Sequence, residues 1–439
     1  MIDLEITALS HSAEGIGRHE GRAIFVPFAL PGEMVRVEIV EEKKRFARGR
    51  LLEVLSPAPE RIVPRCPHHF NLQPPPGFDS NTPATACGGC QLQHLGYAAQ
   101  LAFKEQTVRE QFQRLGGFAE VPLHAILPSP REFNYRDQMQ FALTPHGHLG
   151  FRAAGSHHVV AVRECHQLEP LLAGLFSRIS VDAEQAPEMD RVTLRGGSDG
   201  EALVLFETEA EAPEMALDLP VSAALLRPDG TTMVLAGGDH VMMEVHGRPF
   251  QVSGGAFFQV NPPVAELLVN LVLTGLALTG SERVLDLYSG VGLFSAFIAP
   301  HASQVIGVEA YEPAVADAAV NLDEFENVEI YAAPVEDVLP DLAGHFDAAV
   351  LDPPRAGCEP AALAALLTAR VARIVYVSCD AATLARDARR LVDGGMTLDW
   401  VQPVDMFPQT YHVECVALFR WEPGNQTNPP RTAQGAGDG

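Results

Sequence analysis

Arg283-Val284-Leu285-Asp286-Leu287-Tyr288, running straight into Ser289-Gly290-Val291-Gly292-Leu293-Phe294, puts a glycine turn between an apolar strand and the start of a helix. More apolar runs follow at helical intervals: Val305-Ile306-Gly307-Val308-Glu309, Val328-Glu329-Ile330-Tyr331, Ala348-Ala349-Val350-Leu351-Asp352 and Arg373-Ile374-Val375-Tyr376-Val377-Ser378. Continuously apolar strands alternating with helices are covered on both faces, so the chain from about Val264 onward is expected to form a parallel, doubly wound α/β sheet. Such a sheet binds its ligand beyond the carboxyl ends of its strands, beside the first glycine turn. A dinucleotide site would want a third glycine where this chain has Ser295. Glu309 ends the second strand, where a carboxylate can accept both hydroxyls of a ribose. An adenosine without a pyrophosphate, hence S-adenosylmethionine, is the economical ligand.

Two further segments reach the same edge. Ser378-Cys379-Asp380 follows a buried strand, and Asp352-Pro353-Pro354-Arg355-Ala356-Gly357 follows the strand before it, with Arg355 available to a phosphate or carbonyl. Asp405-Met406-Phe407-Pro408-Gln409-Thr410-Tyr411-His412-Val413-Glu414 leads into a last apolar strand, Cys415 to Phe419. Beside that run Glu414 is expected to have a raised pKa suited to proton transfer. A thiolate, a carboxylate and a methylsulfonium donor together suit methylation of carbon 5 of uracil. That carbon is a weak nucleophile until Cys379 adds to carbon 6 and makes an enolate; after methyl transfer Glu414 removes the carbon 5 proton and the thiolate leaves. The plainer readings are a buried structural cysteine and an exposed strand-edge carboxylate.

The rest of the chain bounds this reading. Its 439 residues, 47% hydrophobic and 20% charged, call for two or three domains. The most apolar stretch, Leu267 to Leu278, is interrupted by Asn270 and Thr274 and reads as a buried helix rather than a membrane span. The opening Met1-Ile2-Asp3-Leu4-Glu5 lacks the basic start and apolar run of a secretion signal, which points to the cytoplasm. A net charge of −25 argues against a generally basic, nucleic-acid-binding surface, although much of the acid crowds between Asp182 and Asp218.

Residues 1–56 alternate short β-type runs with glycine turns, as a small closed barrel would. Between two of these runs, Lys43-Lys44-Arg45-Phe46-Ala47-Arg48-Gly49-Arg50 carries five cations around an aromatic. It reads equally as a phosphate-contacting, base-stacking strip and as a solvated hairpin tip. Proline-rich linker follows, then helical periodicity from Tyr97 to Leu115, ended by Gly116-Gly117. Residues 134–239 are β-rich, and the tail after Pro423 has a disordered composition. The expected organisation is 1–56, 57–263, 264–422 and a tail, 423–439.

Seven cysteines in a reducing compartment are more often ligands, nucleophiles or core than disulfides. Cys87-Gly88-Gly89-Cys90 can grip one metal centre, and with Cys66 and Cys165 would supply four thiolates. Four thiolates suit zinc or an iron-sulfur cluster, and spacing does not decide between them. His68 and His69 are alternative ligands, though loop histidines are more often solvated. Cys358 and Cys415 read as bystanders, Cys415 facing away from Glu414. Tyr135 and Arg136 suit either RNA contact or, for the tyrosine, core packing.

Taken together, these residues resemble the RNA uridine-5 methyltransferase family over nearly the whole chain. The matching motifs, in the family's order, are Phe258-Gln259-Val260-Asn261, the turn from Asp286 to Phe294, Asp352 to Gly357, Ser378-Cys379-Asp380 with Ala382-Thr383-Leu384-Ala385-Arg386-Asp387, and Phe407-Pro408-Gln409-Thr410 to Glu414. The resemblance implies a class I, Rossmann-like methyltransferase domain and cofactor contacts from Gln259, Tyr288, Glu309 and Asp352. It implies Cys379 as nucleophile and Glu414 as proton acceptor. Asp380-Ala381 departs from the family's usual Asn-Pro. Residues 1–56 look like the OB-like TRAM barrel that binds RNA in front of many members, with a central α+β domain carrying the cysteine metal site behind it.

Cys87-Gly88-Gly89-Cys90-Gln91-Leu92-Gln93-His94-Leu95 is similar to the iron-sulfur branch, which implies a [4Fe-4S] cluster on Cys66, Cys87, Cys90 and Cys165. The 20 residues between Cys66 and Cys87 exceed that branch's usual interval, which makes Cys66 the least secure of the four ligands; the three-cysteine spacing of radical enzymes is absent, so the cluster is expected to serve structure or RNA positioning. The implied substrate is ribosomal RNA, 23S in particular, ahead of transfer RNA. No membrane and no obligate protein partner is implied. A cluster-containing RNA-binding factor without activity is the reading from another class.

Overall fold

The computed structural model describes residues 1–154, 156–179, 181–182, 189–208, 220–227 and 230–421. Most of the acidic segment between Asp182 and Asp218, and the tail after Pro423, lie outside the described residues. Two compact units arise that do not follow chain order. One gathers Met1–Gln106, Pro128–Ala265 and Asp405–His412; the other gathers Thr107–Leu127, Glu266–Val404 and Val413–Gly439.

In the first unit, β1 (Ile2–Leu9), β2 (Glu14–His19), β3 (Arg22–Pro27), β4 (Met34–Glu42) and β5 (Phe46–Ser56) close into a barrel in the order β1-β2-β3-β5-β4. Period-2 alternation turns Leu4, Ile6, Ile24, Val26, Val35 and Val37 inward as its core. The cationic strip is the β4–β5 tip. Its Lys43, Arg48 and Arg50 pair with Glu41, Glu14 and Glu38, which leaves Lys44 and Arg45 exposed and without an ion pair among the described residues. Phe46 packs edge-on against Phe25 at 5.7 Å between ring centroids.

Helix α1 (Tyr97–Arg114) begins in this unit. Strands β6 (Gln138–Leu143), β7 (Leu149–Arg152), β8 (Val159–Ala161), β9 (Met189–Gly196), β10 (Ala202–Thr208), β11 (Ser222–Leu226) and β12 (Thr232–Ala236) form a sheet in the order β12-β11-β10-β9-β6-β7-β8. Helix α2 (Pro170–Phe176) buries Leu172, Leu175 and Phe176 in the same core as Phe141, Val192 and Leu194 of that sheet. A hairpin, β13 (His240–Val245) and β14 (Arg248–Ser253), precedes α3 (Pro262–Leu276).

The second unit carries β15 (Arg283–Leu287), α4 (Leu293–Ile298), β16 (Gln304–Glu309), α5 (Glu312–Asn321), β17 (Val328–Ala332), α6 (Val335–Val338), β18 (Ala348–Leu351), α7 (Pro360–Thr368), β19 (Arg373–Ser378), α8 (Ala381–Asp393), β20 (Met396–Val404) and β21 (Glu414–Trp421). The sheet order is β17-β16-β15-β18-β19-β21-β20. Its first five strands are parallel, as expected, and the order reverses at β15. The sheet is not wholly parallel, however: β21 runs antiparallel between β19 and β20. Asp399, Gln402 and Pro403 interrupt the apolar run of β20, which hides that strand from a pattern reading. No helix among the described residues is long and apolar enough to cross a membrane.

Candidate active site

The carboxyl edge of the second unit's sheet is assembled by strand register. Leu287 lies beside Val308 and beside Leu351, so Tyr288, Glu309 and Asp352 leave the sheet at one level. At that level the chain turns sharply. Tyr288 has φ +63°, Gly290 +55° and Gly292 +89°. A Cβ on Gly292 would come within 2.7 Å of Leu322, so both its backbone and its surroundings demand glycine. Glu309 organises the turn from across the ladder, with Oε2 accepting from the Gly290 N–H at 2.9 Å and Oε1 from the Tyr311 N–H at 2.8 Å. Each oxygen keeps a second lone pair for a ligand hydroxyl.

Beneath the turn, Asp286 is fully buried and Ser295 donates to its Oδ2 at 2.6 Å. Burial lifts the Asp286 carboxyl to about 6. Its Oδ1 and the buried Ser289 hydroxyl have no hydrogen-bond partner among the described residues. Orphaned buried polar atoms at a glycine turn mark a place built for a polar ligand.

The relation of Cys379 to Glu414 is set by the antiparallel ladder. Arg373 faces Arg420 and Ser378 faces Cys415, so continuing by one residue sets Cys379 opposite Glu414, on the face opposite Cys415. Cys415 is fully buried in the core under the sheet, and Glu414 is 2% exposed. Burial, then the charge of Asp352, push the Glu414 carboxyl well above the usual range, with Arg355 pulling it back. The Cys379 thiol is pushed up to about 11, by burial first and then by Glu414, while a hydrogen bond and the charge of Arg355 oppose both. Thiol, carboxylate and guanidinium therefore share one electrostatic neighbourhood, with Asp352 beside them.

Asp380 caps α8. Its Oδ1 accepts from the N–H groups of Ala382 and Thr383, each at 2.9 Å. An asparagine would do the same, and Ala381 holds the first helical position, where proline fits as well. The departure from Asn-Pro thus leaves the turn after Cys379 intact.

Of the expected cofactor residues, Tyr288, Glu309 and Asp352 come together in this unit. Gln259 lies in the other unit, 5% exposed, just before α3. Its neighbour Phe257 is a residue the sequence does not single out: its ring is 68% exposed while Phe258 is buried, and only that exposure marks it.

The first unit holds a second polar centre. Cys66, Cys87, Cys90 and Cys165 line one cavity of about 280 Å³ with Arg136 and Thr410. Burial raises all four thiols, Cys66 to about 11 and Cys90 to about 12. The Gly89 N–H and the Gln167 amide donate to Cys87 and Cys90 sulfurs, at 3.4 and 3.3 Å. Among the described residues no three His, Cys, Asp or Glu side chains are placed to hold a single metal ion. His68 and His69 are buried rather than solvated; His68 Nε2 already accepts from the Arg163 N–H and His69 Nδ1 bonds the Phe70 carbonyl. Tyr135 is core, 2% exposed, its hydroxyl donating to the Pro408 carbonyl, and Arg136 stacks over Phe407.

Residues 1–52 match the family model described as TRAM domain, and residues 238–421 match the one described as tRNA (Uracil-5-)-methyltransferase. An uncharacterized RNA methyltransferase of Thermosynechococcus vestitus is 36% identical to this chain, covering 95% of it and 97% of that protein. Another, of Bacillus cereus, is 35% identical over 95% and 96%. Among solved structures, a tRNA (uracil-54, C5)-methyltransferase of Pyrococcus abyssi, in complex with S-adenosyl-L-homocysteine, matches with a TM-score of 0.72 at 26% identity, covering 95% of this chain and all of that one.

Proposed function

The chain belongs to the RNA (uracil-5-)-methyltransferase family, whose reaction is S-adenosylmethionine-dependent, and on that premise we propose that it methylates one uridine of 23S ribosomal RNA with Cys379 as nucleophile and Glu414 as base. The observation that carries the reading is the cross-strand pairing of those two side chains beside Asp352 and Arg355. S-adenosylmethionine, when bound, supplies an electrophilic methyl carbon on a sulfonium; Tyr288, Glu309, Asp352 and Gln259 are the residues we assign to hold it.

The chain's own part runs as follows. Arg355 stabilises the Cys379 thiolate, which forms a bond from sulfur to carbon 6, and the displaced pair moves through carbon 5 onto the carbonyl as an enolate. Carbon 5 is now nucleophilic; the methyl carbon would bond to it as its bond to the sulfonium broke, with that pair staying on the sulfur as a neutral thioether. Glu414 accepts the carbon 5 proton, the pair from that bond restores the ring double bond, and the carbon–sulfur bond breaks to free the thiolate. Glu414's raised affinity for a proton suits this receipt, and turnover requires passing that proton to water.

Cys379→Ala is expected to abolish both methylation and the stable adduct with 5-fluorouridine RNA, whose carbon 5 fluorine no base can remove, while S-adenosylmethionine binding persists by calorimetry. Residual turnover in that variant sinks the nucleophile. Absence of any adduct with the unaltered protein favours a binding factor without activity.

The first-unit cavity fits a [4Fe-4S] cluster on Cys66, Cys87, Cys90 and Cys165. Four thiols line one space, a donor set that suits zinc or a cluster, and the resemblance to the cluster-bearing branch is what favours the cluster. Buried neutral thiols ionise only when a metal centre replaces their protons. The cluster would fix the Cys87–Leu92 segment, whose Gln91 and Leu92 N–H groups donate to the Gln409 carbonyl. Iron and acid-labile sulfide in anaerobically purified protein test this; stoichiometric zinc without iron overturns it. Resemblance to the cluster-bearing branch and the barrel, taken as the RNA-binding module, support ribosomal RNA in the cytoplasm. Transfer RNA stands as the second reading because the Pyrococcus relative carries that substrate in its name. Mapping 5-methyluridine in both RNAs, with and without the gene, separates the two.

A further inference from the structure

Beneath Cys379 lies a carboxylate that the reaction does not use. Asp387, on the second turn of α8, is fully buried and collects five donated hydrogen bonds. Its Oδ2 accepts from the Cys358 N–H at 3.0 Å, the Tyr376 hydroxyl at 2.9 Å and Arg386 Nη2 at 3.1 Å. Its Oδ1 accepts from Arg386 Nε at 2.9 Å and Arg390 Nη1 at 3.1 Å. A buried carboxylate satisfied this fully costs a great deal to assemble, and losing its charge leaves several donors unpaired.

Each partner belongs to a different part of the candidate site. Tyr376 is on β19, three residues before Cys379. Cys358 ends the loop that begins with Asp352 and carries Arg355, and its thiol is hydrogen-bonded to Tyr288 of the glycine turn. Arg386, oriented by Asp387, also donates from Nη2 to the Ala356 carbonyl at 2.9 Å, and Thr383 of the same helix donates to the Arg355 carbonyl at 3.2 Å. Between them Gly357, at φ +79°, lets the loop lie against the helix; a Cβ there would come within 2.5 Å of both Arg386 Nη2 and Asp387 Oδ2. Backbone groups of Arg355, Ala356 and Cys358 are thus all tied to one turn and a half of α8, the helix that starts directly after the nucleophile.

We infer that Asp387 is a positioning residue that holds the Asp352–Cys358 loop against α8 and so fixes Arg355 beside the Cys379 sulfur. The assignment rests on Cys379 being the nucleophile. It requires that Asp387 act through Arg355, which separates it from a general contribution to folding.

The experiment uses the full-length protein and two readouts, the pH dependence of Cys379 alkylation by iodoacetamide, followed by peptide mass, and single-turnover adduct formation with 5-fluorouridine RNA. Asp387→Asn is expected to displace the alkylation profile toward higher pH by about one unit and to slow adduct formation roughly tenfold at neutral pH. S-adenosylmethionine affinity, measured alongside, should fall less than the adduct rate, since Cys358 also links Asp387 to Tyr288; a loss of affinity with an unmoved alkylation profile overturns the inference. Arg355→Ala should show the same displacement, and the double variant should be no worse than Arg355→Ala alone. Tyr376→Phe, which removes one hydroxyl, is the substitute where Asp387→Asn does not fold, with a smaller displacement in the same direction. An unmoved profile in a folded Asp387→Asn or Tyr376→Phe protein overturns the inference, as does full multiplication of the Asp387 and Arg355 effects. Failure of the unaltered protein to form the adduct sinks the nucleophile assignment beneath it, a result distinct from either.

Discussion

Glu414 shows what the site costs the fold at the level of one residue. In the folded protein burial and Asp352 raise its affinity for a proton above that of the unfolded chain. Stability from such a group is complete below its unfolded pKa, near ~4.3, and is lost as pH rises through the higher folded value, because ionisation is then easier in the unfolded state. Glu414→Gln cannot ionise. It is therefore expected to gain Tm relative to the parent as pH goes from 5.5 to 8.5, by about 2–4 °C, while accumulating the methylated covalent adduct with RNA. A Tm difference that does not change with pH argues against a strained carboxylate, and rapid product release by the variant argues against the base. What the sequence offered was a thiol just after one apolar run and a carboxylate just before another; that the two strands pair, and so set Cys379 and Glu414 across from each other, came only from the ladder register. Asp387 was not readable: with Arg386, Arg389 and Arg390 around it, it has the look of a solvated helix face, and only the tertiary fold buries it.

At the scale of elements, α8 illustrates how local rules survive a change of residue. Asp380 has φ −139° and ψ 108°, the extended conformation that a residue preceding proline must adopt. Ala381 at the first helical position needs no N–H partner. Ala381→Pro is expected to be tolerated and to stabilise the protein by about 0.4–1 kcal/mol through the unfolded chain, whereas Asp380→Ala should cost ~1 kcal/mol by uncapping two amides. Urea unfolding with both variants checks the pair; a strongly destabilised Ala381→Pro would mean that this amide is needed after all. The parallel strands were legible because both faces are apolar. Strand β20 was not, because Asp399 and Pro403 break its pattern, and its place is fixed by pairing with β21 rather than by its own composition.

For the molecule as a whole, the puzzle is charge. A chain of net charge −25 is proposed to bind a polyanion, so attraction must be local and brief in range. The barrel makes this concrete, since Lys43, Arg48 and Arg50 of its basic strip are engaged by acids of the same barrel, and Lys44 and Arg45 at the tip have no ion pair among the described residues. Replacing both by alanine is expected to weaken RNA binding and to lower the slope of log affinity against log salt by roughly 0.7–0.9 per cation, with S-adenosylmethionine affinity untouched. An unchanged slope assigns RNA attraction to another face. The barrel itself was legible from its turns, but the pairing that spends its charge was not, because ion pairs across strands depend on register.

That dependence on register reaches furthest at the ladder between β19 and β21. Sliding one strand past the other by a single residue would set valine or cysteine opposite Cys379 and turn every side chain of β21 to the other face, driving Glu414 into the core that Cys415 fills. An insertion or deletion of one residue between Asp405 and Val413 is the kind of lesion that would do so, so that thermal melting would register the same fault that methylation does.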